Sequence, residues 1–350
     1  MRILLLQDYL RNGGTEQQTL AIAGGLAAAN VETHVVVFRR GGTLDSQAEN
    51  QAYQLHYLKQ GPLKTDWFAP SLRKFLAQIK PDVLIPMGRM ANCHAGLLPR
   101  KRPYKLVASL RTGKTIPYLY RRALRRADRL VANSQNALSR LKSQYGIHTP
   151  DTSNVIYNGC IRDFQKATPN SNTTTHLCSV SMFRTQKRQI RLIRICSKLP
   201  SDIDWKLTLA GTGPTRKACQ AETIRLGLTE RITFPGFLAD PRDLYQSADI
   251  ALHVSKQESL PNFLIEAQMA GLPVIAYDVN GVSETFIHEQ SGYLVPYQNE
   301  SQFLDKLISL IRNPDRKRAF SKAALNHAQF NFSLQKQTAA YKALLKSLNP

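Results

Sequence analysis

The chain has 350 residues, 43% hydrophobic and 21% charged, a balance typical of a globular protein and not of a disordered or fibrous one. One hydrophobic core rarely serves more than ~250–300 residues, so we expect two domains. No apolar run approaches the ~18 residues of a membrane span, and the run at 3–6 is too short for a signal-peptide core. The five cysteines have no CxxC spacing, which argues against a disulfide framework or a zinc ribbon. We therefore expect a cytoplasmic protein.

The charge is strongly positive. Lys and Arg number 47 against 25 Asp and Glu, which gives a net charge of +22 at pH 7. The excess is densest at residues 100–129, where 11 basic residues stand against the single acid Asp128. A surface of this kind attracts polyanions, which include nucleic acids, anionic lipid headgroups and phosphorylated substrates.

Short apolar runs alternate with amphipathic stretches in the first half of the chain. The runs predict strands at 2–7, 33–38, 54–58, 82–87, 104–110 and 129–133. The amphipathic patterns predict helices that include 16–30, 66–80 and 135–145. Continuous apolar strands that alternate with helices indicate a parallel sheet covered on both faces.

The alternation stops at residues 158–175, and the polar stretch 168–175 predicts a linker. It resumes with predicted strands at 177–181, 206–210, 232–234, 250–254, 273–277 and 293–295. Three predicted helices close the chain, at 302–312, 314–329 and 334–348. The predicted fold is therefore two doubly wound α/β domains in tandem. Ligands of such sheets bind beyond the carboxyl ends of the strands, and two facing domains would enclose one cleft.

Two glycine-containing loops follow predicted strands. Gly13 and Gly14 come soon after the first strand, where glycine lets the backbone approach a ligand and the next helix directs free N–H groups at it. A tight turn between strand and helix explains the same residues equally well. Gly211 and Gly213 form a similar loop after 206–210. Arg216 stands where a dinucleotide fingerprint has its third glycine, so we do not predict a nicotinamide site.

Two cations, Arg184 and Lys187, lie just past the strand at 177–181. Cations at that place could neutralise a diphosphate without a metal ion. The alternative is the solvated basic start of a helix. Further basic residues continue at helical spacing, and we interpret them as solvated: Arg188, Arg191, Arg194 and Lys198.

Two carboxylates, Glu258 and Glu266, are separated by seven residues around the start of a predicted helix. Pro261 suits an early helical position, and the helix N-terminus would offer backbone amides to a phosphate. Glu258 could hydrogen-bond sugar hydroxyls, and Glu266 could hold a ribose diol. The alternative is that both acids are simply favoured there by the helix dipole.

The two carboxylates, with Leu260-Pro261-Asn262-Phe263 between them, resemble the E-x7-E motif of the retaining GT-B glycosyltransferases of family 4. The type is that of bacterial cell-surface polysaccharide and lipopolysaccharide synthesis. The resemblance extends over nearly the whole chain, through the segments 13–16, 209–214, 234–237, 245–249 and 281–284. It implies an acceptor-binding Rossmann-like domain at 1–160 and a nucleotide-sugar-binding one at 161–330. The helix at 331–350 would pack back on the N-terminal domain.

The resemblance also implies roles for single residues. Arg184 and Lys187 look like the family's diphosphate-binding pair, and with Glu258 they would carry the catalysis. The donor-binding residues implied in this way are Gly13, Gly14, Arg184, Lys187, Gly213, Glu258, Leu260, Pro261, Asn262, Phe263 and Glu266. Glu16 is assigned to the acceptor or the sugar.

The sequence departs from the family pattern at two places. Ser181-Met182-Phe183 replaces the common Gly-Arg-Leu, so Arg184 is shifted by two positions. Arg111 stands where many members have a histidine near the reacting sugar. A cation there could bind an anionic sugar or a lipid diphosphate.

The function implied is transfer of a hexose or N-acetylhexosamine from a UDP-sugar to a lipid-linked saccharide, with retained anomeric configuration. We find no convincing Asp-x-Asp metal motif, and the resemblance implies no metal and no cofactor besides the donor. The departing phosphate would act as the base, because no side-chain nucleophile is evident.

The stretch 117–129 bears on the acceptor. Tyr120, Ala123, Leu124 and Ala127 form an apolar stripe, and the remaining positions are mostly arginine: Arg121, Arg122, Arg125, Arg126 and Arg129. This pattern predicts docking on an anionic membrane, hence a peripheral protein on the cytoplasmic face of the inner membrane. An ordinary solvated helix is the alternative.

Three other functions stay open as alternatives. They are transfer to a soluble, possibly phosphorylated acceptor, epimerisation of a nucleotide sugar, and nucleic-acid binding. The E-x7-E pattern argues against an epimerase. We expect no nucleic-acid partner, because the basic run is not interleaved with aromatic residues and no binding module is evident.

Overall fold

A computed structural model describes residues 1–59, 69, 71–147, 152–164 and 174–348. It divides into two compact units, Met1–Ile161 with Ser333–Pro350 and Arg162–Phe332. Most of the predicted linker, 168–173, lies outside the described residues. Thr175 does not belong to a linker, because it is the first residue of a strand.

The first unit is a parallel sheet with helices. Its strands are β1 Arg2–Gln7, β2 Glu32–Val37, β3 Gln54–Tyr57, β4 Val83–Pro86, β5 Lys105–Leu110, β6 Arg129–Ala132 and β7 Ser153–Val155. Its helices up to residue 161 are α1 Gly14–Ala28, α2 Asp45–Ala48, α3 Ser71–Ile79, α4 Arg89–Leu97, α5 Tyr118–Arg126 and α6 Gln135–Tyr145. Within the described ranges, the strand order is β3-β2-β1-β4-β5-β6-β7, and all neighbours are parallel.

The strand β1 shows why the apolar runs are continuous. Successive side chains of a strand point to opposite faces of the sheet. Ile3 and Leu5 pack in one hydrophobic core, and Leu4 and Leu6 pack in another. Because both faces are covered, polar residues have no solvated face to occupy, and the run stays apolar.

The second unit repeats this architecture. Its strands are β8 Thr175–Val180, β9 Trp205–Ala210, β10 Ile232–Gly236, β11 Ile250–His253, β12 Val274–Tyr277 and β13 Gly292–Val295. Its helices are α7 Gln189–Cys196, α8 Arg216–Arg225, α9 Arg242–Ser247, α10 Asn262–Met269, α11 Glu300–Arg312 and α12 Pro314–Phe332. Across the residues described here, the order is β10-β9-β8-β11-β12-β13, again with parallel neighbours.

The C-terminal helix α13, Leu334–Lys346, belongs to the first unit although it follows the second in sequence. Tyr341 and Leu344 share a hydrophobic core with Ile3 and Leu5. The Gln337 side-chain amide donates to Gln18 Oε1 of α1 at 2.8 Å. The chain therefore returns to its N-terminal unit at its end.

The predicted fold class, two parallel α/β domains of Rossmann type, is confirmed. The five cysteines lie in the described ranges and are buried free thiols. Across those ranges, no helix combines the length and the apolar character that crossing a bilayer requires. The domain roles and the cellular location stay predictions.

Candidate active site

The strand order of the second sheet reverses between β8 and β11. From β8 the chain proceeds outward to β9 and β10, and from β11 it proceeds to β12 and β13 on the other side. Loops that leave two such strands diverge and leave a crevice at the carboxyl ends, where ligands of doubly wound sheets bind. The residues after β8 include Arg184 and Lys187, and those after β11 include Glu258.

Lys187 and Glu258 meet at this switch point. Lys187 ends a short 3₁₀ turn, Thr185–Lys187, and its Nζ lies 2.5 Å from Glu258 Oε1. His253, the last residue of β11, places its Nε2 3.0 Å from the same oxygen. The side chains of Lys187, Glu258 and His253 are 20%, 11% and 4% exposed. The fold thus encloses one carboxylate between two nitrogen groups.

Burial opposes ionisation of Glu258, but the Lys187 charge and the His253 hydrogen bond outweigh it and hold the pKa of this carboxyl well below its usual range. Burial lowers the pKa of His253, although Glu258 opposes the shift. Near neutral pH, Glu258 is therefore ionised and His253 is neutral. Both partners use Oε1, so among the described residues Oε2 keeps its capacity to accept a ligand hydroxyl.

Substitution of His253 by Gln should reduce the loss of stability on acidification. The imidazole has a folded-state pKa below its ordinary 6.5, so its contribution is present above pH 6.5 and lost as the pH falls towards the folded value. Glutamine keeps an N–H donor for Glu258 but does not titrate. Denaturant unfolding from about pH 7.5 to about pH 5 should show a smaller decline for His253→Gln than for wild type. Equal declines would contradict this assignment.

Glu266 lies in α10 and is 7% exposed. Arg162 Nη1 donates to its Oε1 at 2.9 Å, and the Tyr245 hydroxyl donates to its Oε2 at 3.0 Å. Burial raises the pKa of Glu266, and Arg162 and Tyr245 oppose that shift. Each oxygen thus has a fixed donor, which orients the carboxylate.

Two glycines hold the loops around these carboxylates. Gly213 has φ +147°, and a Cβ there would collide with the Phe183 carbonyl. Gly281 has φ +74°, and a Cβ there would collide with the Ser259 carbonyl, next to Glu258. Both positions need a residue without a side chain, for backbone conformation and for space. The loop after β9 is therefore packed against the segment after β8.

The other predicted donor residues have mixed surroundings. Leu260, Pro261 and Phe263 are buried, and the Phe263 ring stacks on Tyr245 at 6.1 Å between centroids. Asn262 begins α10 and is half-buried. Phe263 is thus a core residue as well as a predicted ligand contact.

In the first unit, the predicted residues again follow strands. Gly13 precedes α1, Gly14 is its first residue, and Glu16 lies in its first turn, with its carboxylate beside Gly13. Arg111 follows β5 and is 7% exposed. Its Nη2 donates to Asn158 Oδ1, and its Nη1 lies 3.5 Å from the Tyr341 hydroxyl. These described contacts are within the protein, and a ligand role for Arg111 stays a prediction.

The helix α5 has the predicted apolar stripe, since Tyr120, Ala123 and Leu124 are buried. Its opposite face is less solvated than expected. Arg125 is exposed, whereas the other three arginines assigned to the membrane are half-buried: Arg121, Arg122 and Arg126. The ring of Tyr145 explains part of this difference, because the Arg121 guanidinium lies 5.7 Å from its centroid.

The sequence did not single out three partners of the carboxylates: His253, Arg162 and Tyr245. Tyr245 opens the segment 245–249, which contributed to the family resemblance. Arg162 and His253 carried no local signal. In the part of the chain that the structure describes, no group of three or more His, Cys, Asp or Glu side chains is arranged to hold a metal ion.

Two curated relatives match part of the chain. N-acetyl-alpha-D-glucosaminyl L-malate synthase of Bacillus anthracis is 27% identical over 168 residues, 48% of this chain and 44% of that protein. The Vi polysaccharide biosynthesis protein VipC/TviE of Salmonella typhi is 35% identical over 114 residues, 31% of this chain and 20% of that protein. The chain thus matches less than half the length of either relative.

A solved structure covers the whole fold. Anabaena Alr3699/HepE in complex with UDP and glucose superposes with a TM-score of 0.85 over 99% of this chain and 100% of that chain. The sequence identity is 21%, so this likeness concerns the fold.

Two family models match adjoining halves of the chain. The model for Glycosyltransferase Family 4 matches residues 12–163, and the model for Glycosyl transferases group 1 matches residues 161–327. Together they span both α/β units. The chain therefore belongs to the family 4 glycosyltransferases of GT-B fold.

Proposed function

We propose that this protein is a retaining glycosyltransferase that moves a sugar from a UDP-sugar to a hydroxyl of a lipid-linked saccharide, in cell-surface glycan synthesis. One observation carries the proposal: two oriented carboxylates and a lysine lie at the switch point of a doubly wound sheet. The Anabaena structure with UDP and glucose supports the choice of donor. The Vi polysaccharide relative supports a role in polysaccharide biosynthesis.

The donor would contact four groups of the second unit. Lys187, assisted by Arg184, would neutralise the diphosphate, together with backbone amides at the N-terminus of α10. Glu266 would accept hydrogen bonds from the ribose hydroxyls. Glu258 would use Oε2 to accept from a sugar hydroxyl, because Lys187 and His253 occupy Oε1.

In the proposed reaction, the bond between the anomeric carbon and the diphosphate oxygen breaks. The acceptor oxygen bonds to that carbon on the same face, and its proton passes to the departing phosphate. Lys187 would stabilise the charge that develops on the leaving group, a kind of contribution worth about 10²–10³ in rate. Determination of the anomeric configuration of the product by NMR checks retention, and an inverted product would contradict it.

Thermal unfolding with UDP, GDP, ADP and their sugars tests the donor site. A ligand at about 100 times its Kd should add ~2.7 kcal/mol to the free energy of unfolding. We expect UDP and one UDP-sugar to stabilise the wild type, and Glu266→Gln to lose that effect. Glu230→Gln, on an exposed residue, is the matched control. If no nucleotide or nucleotide sugar stabilises the wild type, or if UDP stabilises Glu266→Gln as much as the wild type, the proposed donor site is contradicted.

A membrane surface is proposed around α5. The exposed side chains include Leu97, 46% exposed, and Tyr118, 62% exposed. They are close in the fold, because the neighbouring residue Gly96 packs against the backbone carbonyl of Leu119. Apolar side chains beside arginines suit the interface of an anionic membrane, where each cation contributes ~1 kcal/mol.

Vesicle sedimentation tests this surface. The wild type should bind vesicles with anionic lipid and not neutral ones, and added salt should weaken binding. Replacement of Arg121, Arg122, Arg125 and Arg126 by Gln should weaken binding by about tenfold or more. Replacement of four exposed arginines of the second unit by Gln is the charge control: Arg225, Arg242, Arg312 and Arg318. If the wild type does not bind anionic vesicles, a soluble acceptor becomes the better proposal.

A further inference from the structure

A second candidate site lies in the same unit. A cavity of about 310 Å³ is bounded by α7, the start of α8 and the start of α11. Its lining includes Arg184, Arg188, Arg191 and Arg194, and one acid, Glu300. We call it the arginine cavity. The sequence predicted a solvated helix face for three of these arginines. Arg194 is exposed, as predicted, whereas Arg188 and Arg191 are half-buried.

The positive charge of the arginine cavity is only partly compensated. Glu300 Oε1 lies 3.0 Å from Arg191 Nε, and Arg194 pairs with Glu222 at 2.6 Å. Within the described ranges, Arg184 and Arg188 have no acidic partner. Neighbouring cations without counter-charges repel one another, and an anion bound between them would remove that repulsion.

The lining also contains polar atoms that lack hydrogen bonds. Gln189 is 3% exposed, and its Nε2 donates to Ser181 Oγ and to the Met182 carbonyl, but its Oε1 has no partner among the residues that the structure describes. Thr215 Oγ1 and Arg191 Nη1 are buried and likewise have no partner within the described part of the chain. Buried polar groups are normally paired. These atoms lie just beneath the cavity surface, and a ligand that reached them would satisfy the amide oxygen with a hydroxyl donor and the guanidinium with an anionic oxygen.

The backbone at Arg188 gives an independent observation. This residue precedes α7 with φ +54° and ψ +36°, the left-handed region that a side chain disfavours. Its guanidinium lies 5.3 Å from the centroid of the Tyr297 ring. Glycine would adopt this backbone without strain. An arginine at such a position suggests that its side chain is used.

We infer that the arginine cavity binds a phosphate monoester that carries hydroxyl groups, at a site separate from Glu258 and Glu266. Arginine binds phosphate through paired N–H donors, and the volume suits a small ligand. Lys187 bonds Glu258 and does not line the cavity, whereas Arg184, assigned above to the donor diphosphate, does line it. The two sites therefore adjoin at Arg184, and Arg188 belongs to the arginine cavity alone. The inference does not depend on the proposed sugar transfer.

Calorimetric titration with glucose 6-phosphate, and with glucose as the uncharged control, tests the site. The wild type should bind the ester saturably and should not bind glucose. Arg188→Gly should lower the affinity about tenfold or more, while its thermal midpoint stays unchanged or rises because glycine removes the left-handed strain. Arg231→Gln, which removes a cation outside the cavity, should bind as wild type does.

A second arm separates this site from the donor site. Glu266→Gln should weaken UDP binding and leave binding of the ester unchanged. Vesicles with phosphatidic acid distinguish a lipid headgroup from a free ester. Because the α5 arginines are proposed to bind anionic vesicles as well, vesicle binding supports the inference only where Arg188→Gly weakens it. No binding of either probe, wild-type affinity in Arg188→Gly, or loss of ester binding in Glu266→Gln would overturn it.

Discussion

Substitution of Lys187 by Met should lower the rate of sugar transfer by about 10²–10³-fold at saturating donor. The proposed reaction places negative charge on the departing diphosphate, and Lys187 is a cation that the structure holds at the switch point beside Glu258. The same change should destabilise the protein by about 3–5 kcal/mol, because Glu258 would stay buried without its cation. Initial rates and denaturant unfolding measure the two effects separately.

The double variant Lys187→Met/Glu258→Gln separates catalysis from stability. It removes both charges, so it should recover most of the lost stability and none of the lost rate. Lys198→Met is the matched control, because this lysine is 58% exposed and should change stability by less than about 1 kcal/mol. Full activity in Lys187→Met, or activity regained in the double variant, would show that Lys187 serves the fold and not the leaving group.

The strands could be predicted from the sequence because burial on both faces leaves continuous apolar runs. The predictions for β1 and α6 have the bounds of the structure, and most others differ by one or two residues. The strand β7 was missed, since Ser153–Val155 offers one apolar residue in three. Short edge strands are defined by pairing, here with β6, and pairing is not visible in a local pattern.

The site could be predicted only in part. Glu258 and Glu266 lie close together in the sequence, one before the start of α10 and one inside it, so a sequence motif can identify them. Their partners come from distant segments: Arg162 lies 104 residues before Glu266, and Lys187 lies 71 before Glu258. The sheet topology brings these residues together. The two carboxylates could therefore be identified from the sequence, whereas their pairing with these cations could be identified only from the fold.

Substitution of Arg162 by Met should weaken UDP binding by about 10–100-fold near neutral pH, the range expected for a lost charge-assisted contact. Arg162 holds Glu266 ionised against a burial effect that raises the pKa of this carboxyl. Without the guanidinium, the pKa of Glu266 should rise further, and a larger fraction should be protonated. A protonated carboxyl is a poorer acceptor for the ribose hydroxyls.

The UDP affinity of Arg162→Met should also depend on pH, in a direction that the raised pKa of Glu266 determines. A carboxyl with a raised pKa regains its charge as the pH rises, so Arg162→Met should recover part of its UDP affinity between about pH 7 and about pH 9. The wild type should show a smaller change over the same interval. Tyr245→Phe, which removes the other donor to Glu266, should show the same pattern to a lesser extent.

Arg242→Met is the matched control for Arg162→Met. Arg242 pairs with Asp240 at the surface, and Arg162 lies 3.9 Å from the same carboxylate, so the control perturbs the shared neighbour without touching Glu266. Its UDP affinity should stay within about twofold of the wild type. A loss in Arg162→Met that is equal at every pH would indicate that the guanidinium shapes the loop around Ala239, to which it also donates, and does not act through the charge of Glu266.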